Sequence, residues 1–363
     1  MKFGVHFLLP CGIGQTPIAR YRDALAQGQL AEELGFESVW PAEQHAIPSQ
    51  SVLSCPAVFL AALAARTQTI RLGTAIVQLP LFHPLRVAEE ICTLDVISGG
   101  RAELGVGRGT HPDHYAGFGA SLAVSRERLE EGLDYLRKAL SGQPFDFHGR
   151  HYTAEAARVV PEPVQPGGPA LRLAANSVDS FRAAGRAGIP ILTAIHINPP
   201  AVLAGYLDAY HSARAEAGHQ TATPDDITVL TPIFTAERES EVTQFMGPAV
   251  DYYAALMRGN LTTLMRRCGD PSGVFARLLA RLDQLDLNAM RTEQAVFGTP
   301  EACVKTLASL AEQLGAGRFL AWFDFVGTTP AADVERSMRL FAAEVAPRLT
   351  ERLEGHCPSS VRQ

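Results

Sequence analysis

Four short stretches of this sequence carry side chains able to do chemistry. The first, "VWPAEQH", ends an apolar run with Glu43, Gln44 and His45. An imidazole titrates near neutrality and can move a proton, although a lone histidine at a strand end is more often structural than catalytic. Neighbours on a strand alternate faces, so the three converge on one atom only if the strand has ended. Glu43 then orients or hydrogen-bonds a neighbour. The second stretch, "LGVGRGTHPDHYAGFG", sets Arg108 among Gly105, Gly107 and Gly109. Its backbone can approach a ligand while a planar guanidinium, suited to phosphate, points at it; a salt bridge to a nearby carboxylate is the plainer alternative. His111, Asp113 and His114 follow on one loop, a spacing that suits solvent or a bound phosphate better than a metal, which needs ligands from other strands.

In the third stretch, "GTAIVQLPLFHP", the small residues around Thr74, Ala75 and Ile76 suggest a bulge or a flat shelf that a ligand can approach. His83 precedes Pro84 at a helix start and reads as a capping or packing residue. In the fourth, "LAANSVDS", Asn176 or Ser177 can cap a helix whose N-terminus favours an anion. Capping alone also accounts for Ser177 and Ser180.

The elements that must position these groups alternate along the chain. Strands are predicted at 2–9, 38–41, 70–79, 102–106, 170–174, 191–195, 228–234 and 318–325, several of them apolar on both faces as parallel strands under helices are. Helical patterns run over 21–34, 57–66, 85–97, 126–140, 177–187, 201–217, 239–257 and 330–352, with Gly35 and Gly188 placed as left-handed caps. Eight strands each followed by a helix predict a (β/α)8 TIM barrel in one domain. A doubly wound sheet would want a glycine-rich phosphate loop after the first strand, and Gly12-Ile13-Gly14 lacks the third glycine. In a barrel the four stretches, with His6 and His196, fall at the C-terminal ends of strands, where chemistry belongs. Two rim insertions break the rhythm, a hairpin at about 145–169 and a polar, basic stretch at about 258–297. Each is either a lid or wall of the site, or a surface excursion or oligomer contact.

Composition narrows the classes. The 363 residues are 47% hydrophobic and 19% charged, enough for a large core and unlike a disordered chain. A net charge of −6 argues against a nucleic-acid partner. The longest apolar runs are too short to span a membrane, and "MKFGVHFLLPCG" reads as a first strand rather than a signal peptide. Six dispersed cysteines predict reduced thiols in a cytoplasmic protein, with no metal site.

In this order, "MKFGVHFLL", "AEELGFESVWPAEQH", "RLGTAIVQLPLFHPLRVAEEICTLDVISGGRAELGVGRG", "FGTPEACVKTL" and "SMRLFAAEVAPRL" resemble the bacterial luciferase-like flavin-dependent monooxygenase family, of the alkanal monooxygenase α-chain kind. The resemblance spans nearly the whole chain and is weakest between about residues 199 and 295. It implies a barrel that takes reduced FMN from a separate flavin reductase and reacts it with O2, so that a flavin C4a-peroxide oxygenates a carbonyl or similar small substrate. It implies a cis peptide between Ala75 and Ile76 beneath the flavin ring, with Thr74 beside them. It places the phosphate on Arg108 and on the turn of Asn176, Ser177 and Ser180. Gln44 and His45 then face the flavin's reactive edge and Glu43 orients them. A homodimer through the early helices is also implied.

The chain departs from the family at telling positions. Luciferases carry Glu-His-His where this chain has Glu43-Gln44-His45, and an amide cannot act as a base. The luciferase α-chain's reactive cysteine is Gly107 here, and its acidic residue at the strand-five turn is Asn176. These changes point to a non-luminescent oxygenase on a small carbonyl, apolar or aromatic substrate. Two rivals stand beside it: hydride transfer with the deazaflavin F420 on the same fold, and a non-catalytic flavin-binding or partner subunit.

Overall fold

The computed structural model describes residues 1–12, 14–268 and 274–355. Ile13 of the glycine pair, part of the 258–297 stretch and Cys357 lie outside the described residues. Eight parallel strands close into a barrel: β1 (Lys2–Phe7), β2 (Ser38–Pro41), β3 (Arg71–Gly73), β5 (Ala102–Gly107), β8 (Ala170–Ala174), β9 (Ile191–Ala194), β10 (Ile227–Thr235) and β12 (Arg318–Trp322). Pairing of β9 with β10 and of β12 with β1 completes the cylinder, the expected (β/α)8 architecture.

Side chains alternate along each strand, so every second residue points inward. The inward positions stack in three layers. At the N-terminal end Glu103 meets Arg71 at 2.5 Å, Arg318 at 3.0 Å and Arg172 at 3.3 Å. In the middle Trp40 packs with Leu192 and Leu320, its indole N–H donating to Ser38 Oγ at 2.8 Å. The ring fits because its neighbours are small: a Cβ at Gly73 would overlap it, and one at Gly105 would strike the Thr74 carbonyl. The top layer, at the C-terminal mouth, contains His6, Gly107, Ala174 and Trp322.

Helices cover the outside. Helix α1 (Pro17–Glu33) is capped by Thr16, whose hydroxyl accepts from the Ala19 N–H at 3.2 Å. Helices α2 (Pro56–Ala64) and α3 (Pro84–Ser98) follow, and His83 Nδ1 caps α3 by accepting from the Leu85 N–H, as expected. Past α4 (Pro112–Gly117) and α5 (Ser125–Ala139), the 145–169 stretch forms the hairpin of β6 (Phe145–His148) and β7 (Thr153–Ala157). Gly35 and Gly188 both have positive φ.

Three expectations need correction. The strand predicted over 70–79 is interrupted: β3 ends at Gly73, and β4 (Val77–Gln78) resumes beyond a cis peptide between Ala75 and Ile76. The apolar run hides this, because hydropathy does not register a change of backbone direction. The helix predicted to end at 257 continues as α8 (Glu239–Cys268). Its inner face, with Val242, Met246, Ala249, Val250 and Tyr253, is buried beneath a polar outer face, and the latter dominates the sequence from 258 onward. A short strand, β11 (Val296–Gly298), pairs with the end of β10, and the helix α11 (Pro300–Leu314) follows it; neither was expected. Three residues carry too little periodicity to be read as a strand.

The 258–297 stretch therefore holds the last third of α8, then α9 (Val274–Leu282), α10 (Leu287–Glu293) and β11. Helix α8 leans over the mouth. The Gln50 amide donates to Asn260 Oδ1 at 2.7 Å, the Tyr253 hydroxyl donates to the His196 carbonyl at 3.5 Å, and Arg267 pairs with Asp113.

Candidate active site at the barrel mouth

Strand β2 ends at Pro41, and the chain turns through Ala46 at φ 65°, which frees "AEQH" from strict alternation. Glu43 and His45 come to the same side, and Glu43 Oε1 lies 3.1 Å from His45 Nε2. Gln78, on β4, clasps this pair from below. Its backbone N–H donates to Glu43 Oε1 at 3.2 Å, and its side-chain amide donates to the Glu43 carbonyl at 3.0 Å.

The ring of contacts closes through His114. The His45 backbone N–H donates to His114 Nε2 at 3.3 Å, so that nitrogen holds a lone pair. Its Nδ1 therefore carries the proton and donates to Gln78 Oε1 at 3.0 Å. Burial, with repulsion from His111 and His45, holds His114 down to about 4, in keeping with the neutral form. Burial pushes the Glu43 carboxyl above its ordinary range, against hydrogen bonds from His45 and Gln78. A carboxyl raised in this way and an imidazole 3.1 Å away can share or pass one proton. The His45 ring packs edge-on to Phe118 at 4.8 Å and Phe82 at 6.4 Å, which places it against an apolar wall.

Gln44 is half-buried, and among the described residues its side chain makes no hydrogen bond. Thr74 is committed to the barrel wall: its hydroxyl donates to the Gly105 carbonyl at 2.8 Å and accepts from the Gly105 N–H at 3.0 Å. Ala75 and Ile76 are partly exposed across their cis bond, and Ile76 lies over Gly107, where any Cβ would clash with it. The result is a small apolar shelf.

Arg108 leaves the end of β5 half-buried, and among the described residues its guanidinium has no hydrogen-bond or ion-pair partner. The Tyr115 hydroxyl fixes its main chain by donating to the Arg108 carbonyl. Next along the barrel, Ser177 and Ser180 form a reciprocal capping box on α6 (Val178–Ala187): the Ser180 N–H donates to Ser177 Oγ, and the Ser177 N–H to Ser180 Oγ at 3.0 Å. Asn176 Oδ1 accepts from the Thr193 hydroxyl at 3.3 Å, and its backbone N–H donates to Ser180 Oγ. The two serine hydroxyls are thus occupied by the helix end they cap.

His111 Nδ1 caps α4 through the Asp113 N–H, and Asp113 pairs with Arg267, so this trio is used structurally. Among the described residues no group of three or more His, Cys, Asp or Glu could hold a metal ion. Sequence reasoning missed Gln78, which reads as an ordinary strand residue, and gave His114 no part in the network. The two histidines spaced three apart on one helical turn were its one available signal.

An unpaired guanidinium, an open apolar shelf and a carboxyl–imidazole pair converge at the mouth of one barrel. Their charge, apolar surface and proton-bearing pair suit an anionic ligand with a flat body. The family model for luciferase-like monooxygenases matches residues 1–318, and the chain belongs to that family. Among its relatives, the alkanal monooxygenase alpha chain of Photorhabdus luminescens is 26% identical over 97% of this chain and 98% of its own length. Limonene 1,2-monooxygenase of Rhodococcus erythropolis is 30% identical over 90% of this chain and 81% of its own. The crystal structure of the monooxygenase RslO1 from Streptomyces bottropensis superposes with a TM-score of 0.81 at 28% identity, covering 96% of this chain and 99% of that one.

Proposed function

We propose that this chain is a two-component monooxygenase that binds reduced FMN from a separate reductase and uses O2 to oxygenate a small carbonyl, apolar or aromatic molecule without emitting light. The observation that carries this reading is the unpartnered Arg108 guanidinium beside the Ala75–Ile76 shelf. A half-buried arginine without a carboxylate is poorly placed for stability and well placed for a phosphate. When bound, reduced FMN supplies the two electrons with which one oxygen atom of O2 enters the substrate and the other leaves as water.

The protein's own residues do the rest. Arg108 anchors the phosphate, while the N-terminal end of α6, which Asn176, Ser177 and Ser180 hold in place, adds its dipole. Thr74 holds the shelf in register. Gln44 offers an amide to a substrate or oxygen atom but no base. His45 and Glu43 hold one proton between them for delivery or removal, and Gln78 with neutral His114 fixes their geometry. Phe82 and Phe118 exclude water from the His45 ring.

A homodimer through α1–α3 and a cytoplasmic location complete the reading. Ile18 is 82% exposed, Val58 68% and Ile97 53%, an apolar scatter on those helices that a second copy would cover. Sedimentation at a monomer's mass would remove the dimer from it.

The test is an anaerobic titration of the purified chain with reduced FMN and, separately, with reduced F420, followed by admission of O2. Saturable FMN binding and a transient near-ultraviolet band before reoxidation are expected. Preference for F420 would move the chain to hydride transfer, and FMN binding with featureless reoxidation would leave a passive flavin carrier.

A further inference from the structure

Across the mouth from the shelf, three buried polar atoms lack any partner among the described residues: His6 Nδ1, His196 Nδ1 and Trp322 Nε1. They belong to one cluster. The Trp322 indole lies edge-on to His6 at 5.8 Å and meets His196 at 5.5 Å. His196 follows β9 and Trp322 ends β12, and β10 separates these strands, so the two rings meet over the barrel's open end. His6 is 4% exposed and Trp322 3%, so bulk water does not satisfy them. A buried polar group without a partner costs stability, a cost that persists in folded proteins chiefly where function uses it.

We propose that His6, His196 and Trp322 form a subsite for a hydroxyl group on an otherwise aromatic substrate. The indole N–H can only donate. Burial keeps both imidazoles neutral, so each ring carries one proton and one lone pair, and Nδ1 can present the lone pair, which accepts. A hydroxyl does both at once, donating to His6 and accepting from Trp322. A carbonyl would leave His6 unmet, and a carboxylate would find no cation in the cluster. The surroundings suit an aromatic body: Phe325 lies 4.9 Å from Trp322, and Tyr253 lies 6.5 Å from His196. The subsite rests on the oxygenase reading for what happens to the substrate, but not for its binding.

The test is equilibrium dialysis of the full chain, with and without saturating FMN, against 1-naphthol and 1-methylnaphthalene. The naphthol should bind at least about tenfold more tightly. That preference should fall to about twofold or less in Trp322→Phe and in His6→Leu. Both variants should remain folded, with a single cooperative unfolding transition like the parent's. Equal affinity of the two probes, or a preference that survives both substitutions, would overturn the subsite. So would loss of naphthol binding on FMN saturation, which would assign the three atoms to the flavin. Failure to bind reduced FMN with the naphthol preference intact would sink the oxygenase reading while upholding the subsite.

Discussion

The two ends of the barrel are built on opposite principles. At the N-terminal end carboxylates and guanidiniums alternate: Glu103 faces Arg71, Arg172 and Arg318, and Arg318 reaches Glu37 at 3.0 Å. The attraction of these arginines holds the Glu103 carboxyl below its ordinary range in spite of its burial. At the C-terminal end, among the described residues, Arg108 faces no carboxylate, and His6, His196 and Trp322 keep unpaired atoms. The same strands supply both ends. The contrast shows where the chain invests in stability and where it forgoes some of it for a ligand, the separation expected of this architecture.

The contrast can be broken at its closed end first. Glu103→Leu leaves three arginines facing each other, and urea unfolding should show a loss of about 3–5 kcal/mol. A loss below about 1 kcal/mol would mean that the lower layer is not what holds the barrel. At the open end, Arg108→Ala should weaken reduced-FMN binding by about ten- to a hundredfold, a charge-assisted bond's worth. Its unfolding free energy should stay within about 0.5 kcal/mol of the parent. A variant that binds FMN normally would return Arg108 to an ordinary surface role.

Acid should find the open end before the closed one. Burial holds His6 down to about 3 and both His114 and His196 to about 4, against an ordinary 6.5. The unfolded chain binds protons there that the folded chain refuses. The stability these histidines contribute is thus complete above pH 6.5 and is lost as the pH falls toward 4. Between those limits stability should rise with pH by about 1.4 kcal/mol per unit for each histidine still neutral. His6→Leu should flatten the slope by about one proton, and a flat profile in the parent would refute the neutral assignments. The smallest effect is expected at α6, where Ser180→Ala should cost about 0.5–1 kcal/mol of stability as a lost cap. A fall in FMN affinity larger than Arg108→Ala produces would mean that Ser180 serves the phosphate before the helix.

The scaffold beneath this contrast was legible in the sequence, while the charged layer at its closed end was not. The eight strands, the glycines around Arg108 and the capping histidine at 83 all follow from patterns within ten residues. What escaped depends on contacts between distant segments. Gln78 and His114 are 36 positions apart, and nothing local marks either as the other's partner. Trp322 reads as one more apolar residue of a strand until the register shows that it shares an inward face with Leu320. The break after Gly73 and the full length of α8 were obscured for a related reason: composition reports a residue's solvent exposure more directly than its backbone path.

Trp40 fills the middle of the barrel so completely that the cylinder is stoppered. Nothing the size of a flavin or its substrate passes along the axis, so all traffic uses the rim that α8 partly roofs. A vessel with one doorway imposes a sequence on its guests: whichever lodges deeper must arrive first and depart last. If flavin and substrate share that doorway, as the oxygenase reading has it, their order of binding in steady-state kinetics should follow their order of depth.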